Sequence, residues 1–113
     1  MKKEISTNAE QSFWVKIGSA TYSIRLTEFR GVVYADVECD DVPVVHGAKC
    51  LANRWIVPLG VSPNGDNFRF ETRAPDRFEY PNPDEFNDKF TFHYYDADEV
   101  ETIEAGGTVS EED

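Results

Sequence analysis

The sequence predicts an all-β domain: a small antiparallel β-barrel-like fold of about seven short strands, followed by an acidic C-terminal tail. Three observations predict it. Apolar and polar residues alternate with a period of two through most of the chain, with β-branched and aromatic residues frequent. Turn signals recur at hairpin spacing. No apolar pattern of helical period extends for a useful length. Six or seven short strands so spaced indicate an antiparallel barrel or sandwich, and a barrel is preferred because closure removes exposed edges.

Phe13, Val15 and Ile17 share one face of a first strand, opposite Trp14 and Lys16. Gly18-Ser19 turns the chain into a second strand, where Tyr22, Ile24 and Leu26 oppose Thr21, Ser23, Arg25 and Thr27. Phe29-Arg30-Gly31 makes the next turn, with Gly31 free to take positive φ. Val33, Ala35, Val37 and Cys39 then alternate with Val32, Tyr34, Asp36 and Glu38. Asp40-Asp41 turns into a fourth run, residues 42–45, which Pro43 confines to a short strand or a sheet edge because it lacks a donor N–H. Gly47 breaks that run, and residues 48–51 and 55–59 come next as extended pieces. Residues 62–67 carry a strong turn signature, and Phe68 and Phe70 alternate with Arg69 and Glu71 on the next strand. Residues 72–88, with Pro75, Pro81 and Pro83, read as a long loop. A last strand alternates Phe90, Phe92 and Tyr94 with Thr91, His93 and Tyr95. Residues 96–104 have room for one short helical turn.

Composition bounds the function. The chain has 113 residues, enough for one domain, and 40% of them are hydrophobic. Its formal net charge is −11. That argues against a free-standing nucleic-acid binder and against attachment to anionic lipid. No apolar run is long enough to span a membrane, and no signal peptide succeeds the opening Met-Lys-Lys-Glu, so no export route is expected. The charge is unevenly placed. Residues 96–113 hold eight acids and no base, which leaves residues 1–95 at only −3. The expected organisation is therefore a polar N-terminal arm (1–11), a β-barrel-like domain (12–95) and an acidic tail (96–113) with a mobile end. The tail is either a solubilising end or a device that repels DNA or docks basic neighbours, which deletion of residues 105–113 would test.

Reactive chemistry is sparse. Cys39 and Cys50 are not a CxxC pair; with His46 and His93 they make a conceivable zinc set, while the plainer reading is two buried thiols and two unrelated histidines. A Cys39–Cys50 disulfide is a second option. Asp40-Asp41 reads as a turn rather than a carboxylate pair. Asp96-x-Asp98 with Glu99 lacks the glycine and the later glutamate of a calcium loop and reads as a charge run. No serine sits in a nucleophile elbow, and no glycine loop is built to cradle phosphate. No enzymatic activity, cofactor or metal is expected. An oligonucleotide- or ligand-binding barrel is the alternative. Trp14, Tyr22, Tyr34 and Trp55 would stack bases, and Arg25, Arg30, Arg54, Arg69 and Arg73 would contact phosphate. The net charge opposes it, and titration with single-stranded DNA at low salt would test it.

The order of motifs then points to a family. The run Phe13-Trp14-Val15-Lys16-Ile17-Gly18-Ser19-Ala20-Thr21-Tyr22-Ser23-Ile24-Arg25-Leu26 resembles the opening hairpin of small baseplate plug proteins of contractile-tailed bacteriophages. Gly31-Val32-Val33-Tyr34-Ala35-Asp36-Val37 is similar to their next strand. Val42-Pro43-Val44-Val45-His46-Gly47, residues 51–58 and the aromatic strand 90–95 look similar to the later segments of the family. The resemblance covers roughly residues 13–100. Where the family tends to carry a glycine before the last strand, this chain has Asn87, which tolerates left-handed backbone better than other non-glycine residues. The resemblance implies a virion subunit of the tail baseplate, made in the host cytoplasm. It would sit where tail tube meets baseplate hub and be held by contacts with hub and tube proteins. It implies an oligomeric assembly, no membrane, no sequence-specific nucleic acid, no cofactor and no catalytic residue. Aromatics on the face opposite the apolar one suit such contacts. Trp14, Tyr34, Trp55 and Tyr95 are the candidate interface residues.

Overall fold

A computed structural model of the chain describes residues 1–72 and 80–109. Among these residues, seven strands form two antiparallel sheets. β2 (Glu10–Ile17), β3 (Ala20–Phe29), β4 (Val32–Cys39) and β5 (Val42–Lys49) make a four-stranded meander in that order. β1 (Lys2–Lys3), β7 (Thr91–Tyr95) and β6 (Asn67–Glu71) make a three-stranded sheet in the order β1-β7-β6. A 3₁₀ turn (Pro83–Glu85) precedes β7, and one helix, α1 (Ala97–Glu104), comes after it. No helix among the described residues is long and apolar enough to cross a membrane.

The all-β expectation holds, but the sheets do not close into a barrel. They face each other across one core instead. Val15, Tyr22, Ile24, Leu26, Val33, Ala35 and Val37 from the larger sheet meet Phe68, Phe70 and Phe92 from the smaller. Phe13 and Tyr22 make edge-to-face ring contacts with Phe92 and Phe68 at 5.2 and 5.1 Å. Closure fails for a local reason. β5 carries two register shifts against β4 and contains Pro43, so it has no regular ladder to offer a further strand. As Pro43 requires, it lies at a sheet edge. β1, at an edge of the smaller sheet, is only two residues long.

The meander is set by three two-residue turns. Gly18 takes φ 60° between β2 and β3. Arg30-Gly31 and Asp40-Asp41 both take positive φ at both positions, the turn whose twist matches that of paired strands. Asp40 offsets the cost of its conformation by accepting the Thr21 N–H at 3.0 Å. Gly47, expected to break the fourth strand, sits inside β5 at φ 68°, in a bulge where His46 and Gly47 together oppose Asp36. Before β7, Asn87 takes φ 69°, as expected of the residue in the family's glycine position. Its side chain also clamps the N-terminal stretch: Ile5 N–H donates to Asn87 Oδ1 (3.0 Å) and Asn87 Nδ2 donates to Ile5 O (2.5 Å). This clamp and β1 fasten the opening residues, which the sequence marks as an arm, to the smaller sheet.

The extended pieces after β5 are irregular, and hydrogen bonds tie them along β6. Asn53 N–H reaches Phe70 O at 2.6 Å and Ile56 N–H reaches Phe68 O at 2.9 Å. Asn67, 2% exposed, completes the seam. Its Oδ1 accepts the Val57 N–H (3.0 Å) and its Nδ2 donates to Val57 O (2.7 Å). The proline-containing loop between β6 and β7 lies partly outside the described residues, at positions 73–79.

Candidate functional site

In the four-stranded sheet, alternation sends Phe13, Val15, Ile24, Val37 and their like into the core and their neighbours outward. The outward side chains fall into rows because strand register is continuous. One row runs Trp14, Ser23, Glu38, Pro43; the next runs Ser12, Arg25, Asp36. The two rows floor a shallow open trough of about 510 Å³, with Trp14 on one wall and Pro43, Val45 and His46 on the other. Trp14 is 74% exposed, the largest apolar side chain offered to solvent. Asp36 is engaged: Gly47 N–H donates to its Oδ1 (2.7 Å) and His46 Nδ1 lies 2.9 Å from the same atom. Arg25 pairs with Glu10 at 3.6 Å. The Glu38 side chain has no hydrogen bond or ion pair among the described residues and is exposed. Tyr34 lies on a third row, with Thr27 and Lys49, and is half-buried.

Trp55 and Tyr95 lie elsewhere, over the outer face of the smaller sheet, and are engaged within the chain. Arg69 sits 4.7 Å from the Trp55 ring and 5.6 Å from the Tyr95 ring. Its Nε donates to Glu71 Oε2 (2.7 Å), and Tyr95 O–H donates to the same oxygen (2.6 Å). His93 stacks on Tyr95, and its Nε2 is 2.7 Å from Thr91 Oγ1. Trp55 packs edge-to-face on Tyr95 and donates its Nε1–H to Glu104 of α1 at 2.8 Å. Tyr95 is 3% exposed, so of the four aromatics singled out as interface residues it is the one the fold removes from the surface. Trp55 is half-buried in the same cluster.

The polar group that sequence reasoning missed is Asp66, buried at the end of the turn 62–67. Tyr22 O–H donates to its Oδ2 at 2.5 Å, and Asn64 Nδ2 donates to the Tyr22 oxygen at 3.3 Å. Burial pushes the Asp66 carboxyl above the ordinary carboxylate range, against the pull of the Tyr22 and Ala97 hydrogen bonds. Burial, reinforced by Asp66, likewise raises the Tyr22 phenol. A turn aspartate ahead of an asparagine and an apolar strand gives no sequence signal of burial.

The sets proposed for metal or base recognition are dispersed. Cys39 and Cys50 are both free and buried, and burial pushes Cys50 up to about 12. His46 is on β5, exposed, while His93 is buried on β7. Among the described residues no three His, Cys, Asp or Glu side chains gather as a metal site would require. Of the aromatics and arginines of an oligonucleotide platform, Tyr22 is fully buried in the core, Arg69 is locked between Trp55 and Tyr95, and Arg73 lies outside the described residues. Asp96, Asp98 and Glu99 open α1. Glu99 N–H donates to Asp96 Oδ1 (2.8 Å) and Asp96 N–H donates to Glu99 Oε1 (3.0 Å), a reciprocal capping box.

Comparison with known proteins agrees with the motif order. A family model described as "Cyanophage baseplate Pam3 plug gp18" matches residues 2–99, which takes in every strand of both sheets. No curated protein is similar enough to the chain to count as a match.

Proposed function

The chain belongs to the phage baseplate plug family, and on that premise we propose that it is a plug-like subunit at the junction of tail tube and baseplate hub. Its action is mechanical: it holds neighbours through protein–protein contacts and is present in more than one copy per virion. The reading is structural rather than enzymatic, since the buried polar groups Asp66 and Asn67 are occupied in fastening loops to the sheets, and Trp55 in fastening α1. One observation carries the choice of contact surface. A sheet face bearing a 74% exposed tryptophan in an open trough has the composition of an interface core, where tryptophan is enriched. Tyr34 extends that surface on the neighbouring row.

Cryo-electron microscopy of purified source particles tests this. The chain is expected at the tube–hub junction with Trp14 covered by a neighbouring subunit. Its absence from particles would overturn the assignment. Its presence with Trp14 facing solvent would overturn the contact surface alone.

A further inference from the structure

We propose that the trough on the four-stranded sheet is a socket for a basic side chain, arginine above all, presented by the partner subunit. This inference rests on the reading that the trough face is an interface, and it names the chemistry that face selects. Three features of the row Trp14, Ser23, Glu38, Pro43 carry it. Adjacent strands lie about 4.8 Å apart, so Trp14 and Glu38, two strands apart, are separated by about 10 Å across the sheet. Ser23 lies between them, and its small side chain leaves a notch about one side chain wide. On one side of the notch is an exposed indole; on the other is a carboxylate with no partner among the described residues.

The remaining charges sharpen the choice. Asp36 is held by His46 and Gly47, and Arg25 by Glu10. Glu38 is therefore the carboxylate left uncompensated in the trough. A planar cation inserted over Ser23 stacks on Trp14 and pairs with Glu38 at once. Indole is the best π-partner for a cation, and guanidinium combines stacking with fork-like pairing to a carboxylate better than ammonium does. A purely apolar side chain would leave Glu38 desolvated and unpaired, which disfavours it.

The test uses the full chain, labelled with ¹⁵N, and capped peptides that alternate glycine with arginine, lysine or leucine. Addition of the arginine peptide should move the Trp14 indole N–H and the Ser23 and Glu38 amides. The lysine peptide should bind the same place more weakly. Trp14→Ala and Glu38→Gln should each weaken binding roughly two- to fivefold, the scale of a cation–π or carboxylate contact at an exposed site. Glu101→Gln on α1 is the control and should change nothing. Both trough variants alter exposed side chains, and their own spectra report whether the fold is intact. Shifts confined to α1 would mean only diffuse attraction to the acidic helix and would overturn the socket. Equal binding of the leucine peptide would overturn it in favour of an apolar contact. Concentration-dependent shifts at Trp14 before any peptide is added would overturn it in favour of a second copy of the chain. None of these results depends on whether the chain is found in particles, so the socket and the baseplate assignment fail separately.

Discussion

Asn67→Ala is the substitution whose cost can be worked most directly from the structure. The Asn67 amide is the seam between β6 and the irregular segment beside it, holding both the N–H and the C=O of Val57 at 3.0 and 2.7 Å. Asn67 and Val57 are 2% and 1% exposed, so water cannot replace either bond without opening the segment. Leaving one buried polar group unpaired costs roughly 1–3 kcal/mol, and three backbone groups lose their Asn67 partner here: the Val57 N–H and C=O, and the Phe68 N–H that lies 2.8 Å from Oδ1. Partial relaxation brings the sum to about 2–4 kcal/mol. For a domain of this size each kcal/mol moves Tm by roughly 3–6 °C, so a drop of roughly 6–24 °C is expected. Urea unfolding gives the free energy, and amide exchange gives the location: the Val57 and Ile56 amides should lose protection before those of β3 and β4. Asn64→Ala is the control. Asn64 is exposed and its bonds to Tyr22 and Cys39 are long, at 3.3 and 3.7 Å, so it should cost under about 0.5 kcal/mol. A loss below about 1 kcal/mol for Asn67→Ala, or unchanged exchange at Val57, would refute the seam.

Asp66→Asn should leave the protein at least as stable as the wild type at neutral pH. The folded-state pKa of Asp66 is raised, so the ionised wild-type carboxylate is penalised above that value and the penalty fades as pH falls through it. Urea midpoints of both proteins across pH check this; a wild-type advantage that grows with rising pH would contradict it. Asp41→Gly should stabilise by about 0.5 kcal/mol, because Asp41 holds φ 68° in a turn that favours glycine there, whereas Asp41→Val should destabilise by more than about 1 kcal/mol. Urea unfolding separates the two. Asp96→Ala removes the cap of α1 and should cost about 1 kcal/mol, with a smaller helical circular dichroism signal and a displaced Trp55 indole N–H resonance as Glu104 is released.

The strands are legible in the sequence because each buries one face, and a half-buried strand must alternate. Spacing alone assigns Tyr22, Ile24 and Leu26 to one face, and two-residue turns then set the register of β2 to β4. Closure is not legible, since the His46–Gly47 bulge of β5 involves the capture of Gly47 N–H by Asp36, a contact that local spacing does not encode. Helix α1 is half legible. Asp96-x-x-Glu99 is a capping-box spacing, but among so many acids it reads as a charge run. At the candidate surface, Trp14 is recognisable because it interrupts the polar face of an alternating strand. Tyr95 also lies opposite the apolar face of its strand, yet Trp55, far away in sequence and itself tied to Glu104 of α1, packs on it. Alternation tells which face a side chain takes, not whether another segment returns to cover that face.

That distinction also decides how the acidity of the chain is to be understood. Acids in residues 96–104 are not merely a solvated run. Asp96 and Glu99 close the N-terminus of α1, where negative charge is favoured by the helix dipole. Glu104 stands at the opposite end, where the dipole disfavours it, and the Trp55 indole N–H holds it there. Through Glu104 the helix is fastened to Trp55, which packs over Tyr95 on the outer face of the smaller sheet, and Val100 of the helix is buried. On the larger sheet no described residue covers Trp14 in this way, and it stays 74% exposed. Two sheets with similar alternation thus end with different outer faces, one on which Trp55, tied to the acidic helix, covers Tyr95, and one presenting a tryptophan in the same row as a carboxylate side chain with no partner among the described residues. For the proposed docking role, this asymmetry would fix one orientation and put the contact on the body of the domain rather than on its charged end.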